Sequence, residues 1–216
     1  MRLEDELARI PSYSRELGLD LRRPSDRFKW FLASMLFAKR ISAEIAKKAY
    51  LKFKAEGLVT PDAILRAGWD KLVEVLDAAG YVRYDFSTAS TLLETMEKIK
   101  TLGGLERMHA EAEGPKDLEK RLQELRGIGP VATNIFLREL RDIWPKAKPR
   151  PSRIALELGG GLRLGPREIE KFESALVRIY LEYCKHGICD SCPVKRFCGK
   201  RSNKIDKLRI SAAKSP

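Results

Sequence analysis

Apolar residues recur three and four positions apart along most of this chain, and no stretch alternates as a half-buried strand would. The run Asp26-Arg27-Phe28-Lys29-Trp30-Phe31-Leu32-Ala33-Ser34-Met35-Leu36-Phe37-Ala38 is apolar almost all round and predicts a central, buried helix. Ser42 is placed to cap the next helix, on which Ile45, Ala46, Ala49, Tyr50 and Phe53 share a face. Thr60-Pro61-Asp62 opens another, and Leu72, Val73, Val75 and Leu76 lead it to a stop at Gly80. Residues 81–101 are again helical and end at Gly103-Gly104, with a polar connection over 111–115. The charged stretch 1–23, with apolar patches at Leu7, Ile10 and Leu17, predicts one helix and a connection. Near the other end Gly159-Gly160-Gly161 interrupts a helical stretch, and 168–183 predicts one amphipathic helix. The fold class is all-α, built from roughly ten short helices.

Between two of these predicted helices lies Leu125-Arg126-Gly127-Ile128-Gly129-Pro130-Val131-Ala132-Thr133. Leu118, Leu122 and Leu125 mark the helix before it, and Val131 to Leu137 the helix after it, with Pro130 in the first turn. Gly-x-Gly permits the positive φ of a tight turn and bares backbone N–H groups. Those amides and the following helix N-terminus make an anion site suited to a nucleic-acid phosphate. An ordinary connection between two helices is the other reading of the same nine residues.

Charge changes the balance. Lys and Arg total 42 against 30 Asp and Glu, a formal net charge of +12, which favours a polyanionic partner, nucleic acid first. Trp144-Pro145-Lys146-Ala147-Lys148-Pro149-Arg150-Pro151-Ser152-Arg153 reads as a proline-broken basic loop: a strong positive field, or a solvated linker. No apolar run reaches membrane-spanning length, and the charged start Met1-Arg2-Leu3-Glu4-Asp5 is unlike a signal peptide; the expected location is cytoplasmic. The four cysteines, Cys184, Cys189, Cys192 and Cys198, are spaced C-x4-C-x2-C-x5-C, which favours a metal centre over disulfides in a reducing compartment. Four thiolates on one loop can wrap a [4Fe–4S] cluster; tetrahedral zinc is the rival. His186, inside the loop, is a surface or supporting group beside four available thiolates.

Hairpin, basic loop and four-cysteine loop, in this order, resemble the endonuclease III family of helix-hairpin-helix DNA glycosylases over about 25–198. The resemblance implies a two-lobed, all-α helix-hairpin-helix DNA glycosylase fold with a C-terminal iron–sulfur cluster loop. It implies a six-helix lobe at 24–136, a cluster lobe from 1–23 plus 137–200, and a basic tail at 201–216. Gly127, Ile128 and Gly129 would be the hairpin, with Val131 and Thr133 beside it. Lys146, Lys148, Arg150 and Arg153 would meet DNA from the basic loop, and Lys185, Lys195 and Arg196 from beside the cluster. Cys184, Cys189, Cys192 and Cys198 would be the cluster ligands, although the first gap of four is shorter than the family's usual six.

The catalytic positions depart from the family. Its Schiff-base lysine falls at Val131, which has no nucleophile, and its aspartate falls at about Arg150, or at Pro151 with a one-residue slip. No acid stands between Asp142 and Glu157. Lys39, at the end of the buried helix where many members carry a Gln, and Asp142 are the candidate replacements, with Asp26 and Asp85 further acids. The expected activity is DNA repair by a monomeric, nucleoid-associated protein that binds double-stranded DNA and excises a flipped, damaged base without the lyase step. Two alternatives stand beside it: a non-catalytic damage-recognising protein, and an abasic-site lyase using Lys39, Lys146 or Lys148.

Overall fold

A computed structural model describes residues 2–199 of the chain; the predicted tail, 201–216, lies outside the described residues. Every regular element described is helical. In order they are α1 (Leu3–Arg9), α2 (Tyr13–Glu16), α3 (Pro24–Phe37), α4 (Ala43–Ala55), α5 (Pro61–Ala78), α6 (Asp85–Thr101), α7 (Leu105–Glu111), α8 (Pro115–Gln123), α9 (Pro130–Arg138), α10 (Arg153–Gly161), α11 (Pro166–Lys171) and α12 (Glu173–Glu182). Two single 3-10 turns, Cys184–His186 and Lys195–Phe197, follow in the cysteine loop. None of the described helices is long and apolar enough to cross a membrane.

The chain divides into two compact units: one runs from Ser14 to Pro149, the other joins the stretch up to Tyr13 to the chain from Arg150 onward. The sequence-based boundaries stand instead at 23/24 and 136/137. Residues 14–23 go with the larger unit because Leu17, Leu19 and Leu21 are buried and Arg27 on α3 donates to the carbonyls of Leu21 and Arg22. Residues 137–149 do so because Trp144 and Ala147 are buried, Trp144 stacked on His109 at 4.4 Å and set edge-on to Phe136 at 5.6 Å.

In the larger unit α3 is the buried centre, as its uniform apolarity predicts: Trp30, Phe31, Leu32, Ala33 and Leu36 are all at most 1% exposed. Trp30 Nε1 donates to the Phe136 carbonyl at 3.2 Å, Phe31 meets the Phe136 ring edge-on, and the Tyr81 hydroxyl donates to the Leu36 carbonyl at 2.9 Å. Thus the Trp30 indole and the Tyr81 hydroxyl are satisfied rather than stranded. Ser42 Oγ and Thr60 Oγ1 cap α4 and α5 by accepting from the amides of Ile45 and Ala63, each at 3.2 Å. Gly68 breaks α5 with φ +75°, ψ 175°.

The smaller unit packs α1, α10, α11 and α12 around Leu7, Ala155, Ile169, Leu176, Ile179 and Val194. Two expectations fail here. The three glycines do not interrupt the helix: they form the end of α10, because a Cβ at Gly159 would lie 2.6 Å from Ile169 Cγ1 and only glycine allows that approach. The predicted helix over 168–183 is two helices, bent at Phe172 (φ −102°, ψ 14°), whose ring joins the core. Buried Arg178 on α12 holds the N-terminal stretch, donating to the Pro11 carbonyl at 2.8 Å and covering the Tyr13 ring.

Candidate functional site

In the larger unit α8 and α9 are antecedent and sequel to a tight turn. Leu125 and Ile128 close it from inside, buried to 1% and 3% exposure, with the Ile128 amide donating to the Leu125 carbonyl at 3.1 Å. Gly127 has φ +73°, a conformation an L side chain adopts only with strain. Gly129 is the N-cap of α9, Pro130 stands at the first position, and the first amide bonded back is that of Thr133, to the Gly129 carbonyl at 3.0 Å. The N–H groups before it have no helical acceptor, and Gly129, Pro130 and Val131 are exposed. This end of α9 therefore offers partial positive charge to an anion.

The turn rests on α6. Thr95 Oγ1 donates to the Arg126 carbonyl at 2.8 Å. The Thr91 methyl fills the space beneath Gly127, so that a Cβ there would stand 2.3 Å from Thr91 Cγ2. The Arg126 guanidinium, on the outer side, pairs with Glu94 of the same helix. Thr91, Glu94 and Thr95 share one face of α6 at i, i+3 and i+4, so a single helix surface supports the whole turn. None of these residues figures among the sequence-predicted site residues. The only local signal for them was Gly-x-Gly itself, which requires a backing surface somewhere.

The predicted contact residues divide sharply. Ile128 and Thr133 are buried, so their side chains are closed to a partner, and their amides are already given to the carbonyls of Leu125 and Gly129. Val131 is 61% exposed in the first turn of α9. Lys146 is not a free cation: Nζ donates to the carbonyls of His109 and Ala110 at 2.9 and 2.8 Å, closing the end of α7. The chain around it is irregular, as its prolines require, but it is no solvated linker, since Trp144 and Ala147 are buried. Lys148 is exposed and Lys39 half-buried, and among the described residues neither has a carboxylate partner. Arg150 is exposed.

The candidate acids differ in availability. Asp142 is exposed, and among the described residues nothing bonds it to Lys39. Asp26 is committed: it accepts from the Asp20 amide at 3.0 Å and from Lys29 at 2.7 Å, and although burial works to raise its pKa, these partners hold it below the usual value. Asp85 is buried at the start of α6, where it accepts from the Phe86 amide at 2.7 Å, and its hydrogen bond raises the pKa of Asp77.

In the smaller unit none of the four cysteines is in a disulfide, and all lie on one loop. Gly187, with φ +70°, turns the chain after the first, and the amides of Cys192 and Lys195 donate to the carbonyls of Cys189 and Cys192 at 3.2 and 3.1 Å. Cys184, Cys192 and Cys198 pack with Phe197 against the core around Val194 and Ile179. Burial first, and then the nearby sulfurs of Cys192, Cys198 and Cys189, push the Cys184 thiol up to about 11. Cys192 is raised by burial too, against a lowering backbone hydrogen bond at Val194. Four thiolates are the donor set of a thiolate-bound cluster or metal, whose positive charge would offset the burial that disfavours ionisation of Cys184 and Cys192. Among the described residues no three His, Cys, Asp or Glu side chains are gathered as tightly as a single ion requires. The cations of this region are engaged: Lys195 with Asp190 at 2.6 Å, Arg196 with Glu6, and Arg153 with Glu157 at 2.6 Å. Lys185 is exposed.

No protein-family model matches the chain, and no curated protein matches it.

Proposed function

We propose that this chain is a double-stranded DNA-binding repair protein of the endonuclease III kind, gripping a backbone phosphate with the Gly127–Gly129 turn as a helix-hairpin-helix. The observation that carries the reading is the turn itself. It combines a positive-φ glycine, a buried Ile128 and an exposed, amide-bearing start of α9, all backed by α6. Such a turn presents N–H donors at fixed spacing and carries no information about base sequence, so it suits a protein that reads a lesion rather than a site. The net charge of +12 agrees with a polyanionic partner.

The activity assigned is monofunctional base excision. Water adds across the N-glycosidic bond: its hydroxyl goes to the sugar C1′, its proton to the departing base. Val131 at the family's lysine position leaves no amine there for a Schiff base, so the strand is not cut without alkali. A cationic or otherwise activated base leaves with little help, which fits a chain without an acid between Asp142 and Glu157. Lys39 and Asp142 are the residues assigned to the lesion, Lys39 as an amine with no carboxylate partner among the described residues and Asp142 as the acid open to solvent. That same gap in acids favours the second reading, a damage-recognising protein that binds without excising.

Cys184, Cys189, Cys192 and Cys198 would hold a [4Fe–4S] cluster, which when bound cross-links the loop and supplies a centre able to carry one electron. Single-turnover assays on duplexes with deaminated, oxidised, alkylated and abasic lesions test the activity, each sample split between alkali and direct loading. Cleavage only after alkali is the expected result. Direct cleavage would make a lysine the nucleophile, and tight binding without any cleavage would leave the second reading.

A further inference from the structure

Arg126 stands immediately before the positive-φ glycine of the turn, and its two ends are treated differently. Its backbone is fixed, the carbonyl accepting from buried Thr95 at 2.8 Å. Its side chain is on the surface, 60% exposed, paired with a Glu94 carboxylate that is 48% exposed. Glu94 and Thr95 are consecutive on α6, so the helix that immobilises the main chain of Arg126 also parks its guanidinium. An ion pair this open to water adds little net stability, and exchange of one partner costs correspondingly little. A phosphodiester offers the guanidinium two oxygens in the fork geometry that suits it, at a place where the bared amides of α9 already favour an anion. Arg153, paired with Glu157, also stands at a helix start, but there Ser152 Oγ already accepts from the Ala155 amide of α10 at 3.4 Å, whereas no side chain caps α9.

We propose that Arg126 is a phosphate ligand of this site, and that Glu94 is the resident carboxylate it leaves when nucleic acid binds. The inference rests on the reading of the turn as a nucleic-acid contact. Glu94 thereby sets the threshold of the site: it masks one positive charge in the free protein and returns to it on release. Glu94 is a positioning residue, acting only through Arg126.

The test is fluorescence anisotropy of a labelled undamaged duplex with the full chain, measured across a range of salt. Arg126→Gln should weaken binding about fivefold and lower the slope of log affinity against log salt by about 0.9, the signature of one lost phosphate contact. Glu94→Gln should tighten binding several-fold, whereas Glu97→Gln, the same charge change on an exposed position of the same helix, should do much less. The double variant Glu94→Gln/Arg126→Gln should bind like Arg126→Gln alone. Equal tightening by Glu94→Gln with and without Arg126 would overturn the exchange, as would an Arg126→Gln protein with unchanged affinity and slope. If Gly127→Ala weakens binding while Arg126→Gln does not, only the Arg126 assignment falls. If neither affects binding, the reading of the turn falls with it.

Discussion

Gly127→Ala separates two costs that the structure places at one residue. The first is conformational: at φ +73° an alanine is in the left-handed region, which costs about 1–2 kcal/mol. The second is steric, because the new Cβ would stand 2.3 Å from Thr91 Cγ2. Thr91 is buried and its hydroxyl donates to the Ser87 carbonyl at 2.7 Å, so it does not turn aside freely. Overpacking of this kind costs about 1–3 kcal/mol. Together they predict about 3 kcal/mol of destabilisation, and a melting midpoint lower by roughly 10 °C for a chain of this size. Urea titration followed by far-UV circular dichroism measures the first quantity directly. Thr91→Ser removes the obstructing methyl and keeps the hydroxyl, so Gly127→Ala/Thr91→Ser should recover the steric part, about 1–2 kcal/mol, and leave the conformational part. Gly129→Ala, at φ −95° with nothing within 4 Å of its Cβ, should cost no more than about 1 kcal/mol, the loss of a tolerable N-cap. Two results would refute the reasoning: a Gly127→Ala cost under 1 kcal/mol, or a double variant with no recovery.

Thr95→Val, which loses the bond to the Arg126 carbonyl, should cost about 1 kcal/mol in the same urea assay, and Thr95→Ser should cost much less. His109 has its pKa lowered, chiefly by burial and then by Lys146 and Arg27, against an opposing Glu106. A base whose folded pKa is depressed leaves the unfolded chain to take the proton first, so stability should fall as pH drops below the ordinary imidazole value of about 6.5. Replacing His109 with Phe should flatten that part of the stability profile above the range where carboxylates titrate. Protein purified without oxygen should carry about four iron and four sulfide per chain, and Cys192→Ser should lower both; stoichiometric zinc without iron would make the site tetrahedral zinc.

How much of this was legible in the sequence depended on how local its cause is. Ser42 and Thr60 announce their helices because a cap is a contact over three residues, and the buried α3 shows in an apolar run that no surface helix tolerates. The breaks at Gly68 and Phe172 were not legible, because periodicity continues on both sides of each and only packing decides the bend. The glycines of α10 misled for the opposite reason: a run of glycine reads as an interruption until Ile169 is seen to need the space. At the site, Gly127 and Gly129 were readable, but their support was not. Thr95 and Glu94 reach Arg126 across 31 and 32 residues of chain, and no local pattern encodes a contact at that separation.

The same distinction bears on what the positive charge is for. A formal +12 is a property of composition, but the field at a surface depends on which cations keep a carboxylate beside them. Lys195, Arg196 and Arg153 are each paired, and Lys146 is spent on two carbonyls, so these cations singled out by sequence are engaged within their own unit. Among the described residues Lys39 and Lys148 have no carboxylate partner, and Arg126 is held by an exposed glutamate. Binding by such a surface gains from each exchange of a resident carboxylate for a phosphate, less than from a bare cation meeting a phosphate. The salt dependence of DNA binding should therefore report few contacts relative to the count of lysine and arginine, and removing a resident carboxylate should strengthen binding more than adding a lysine elsewhere.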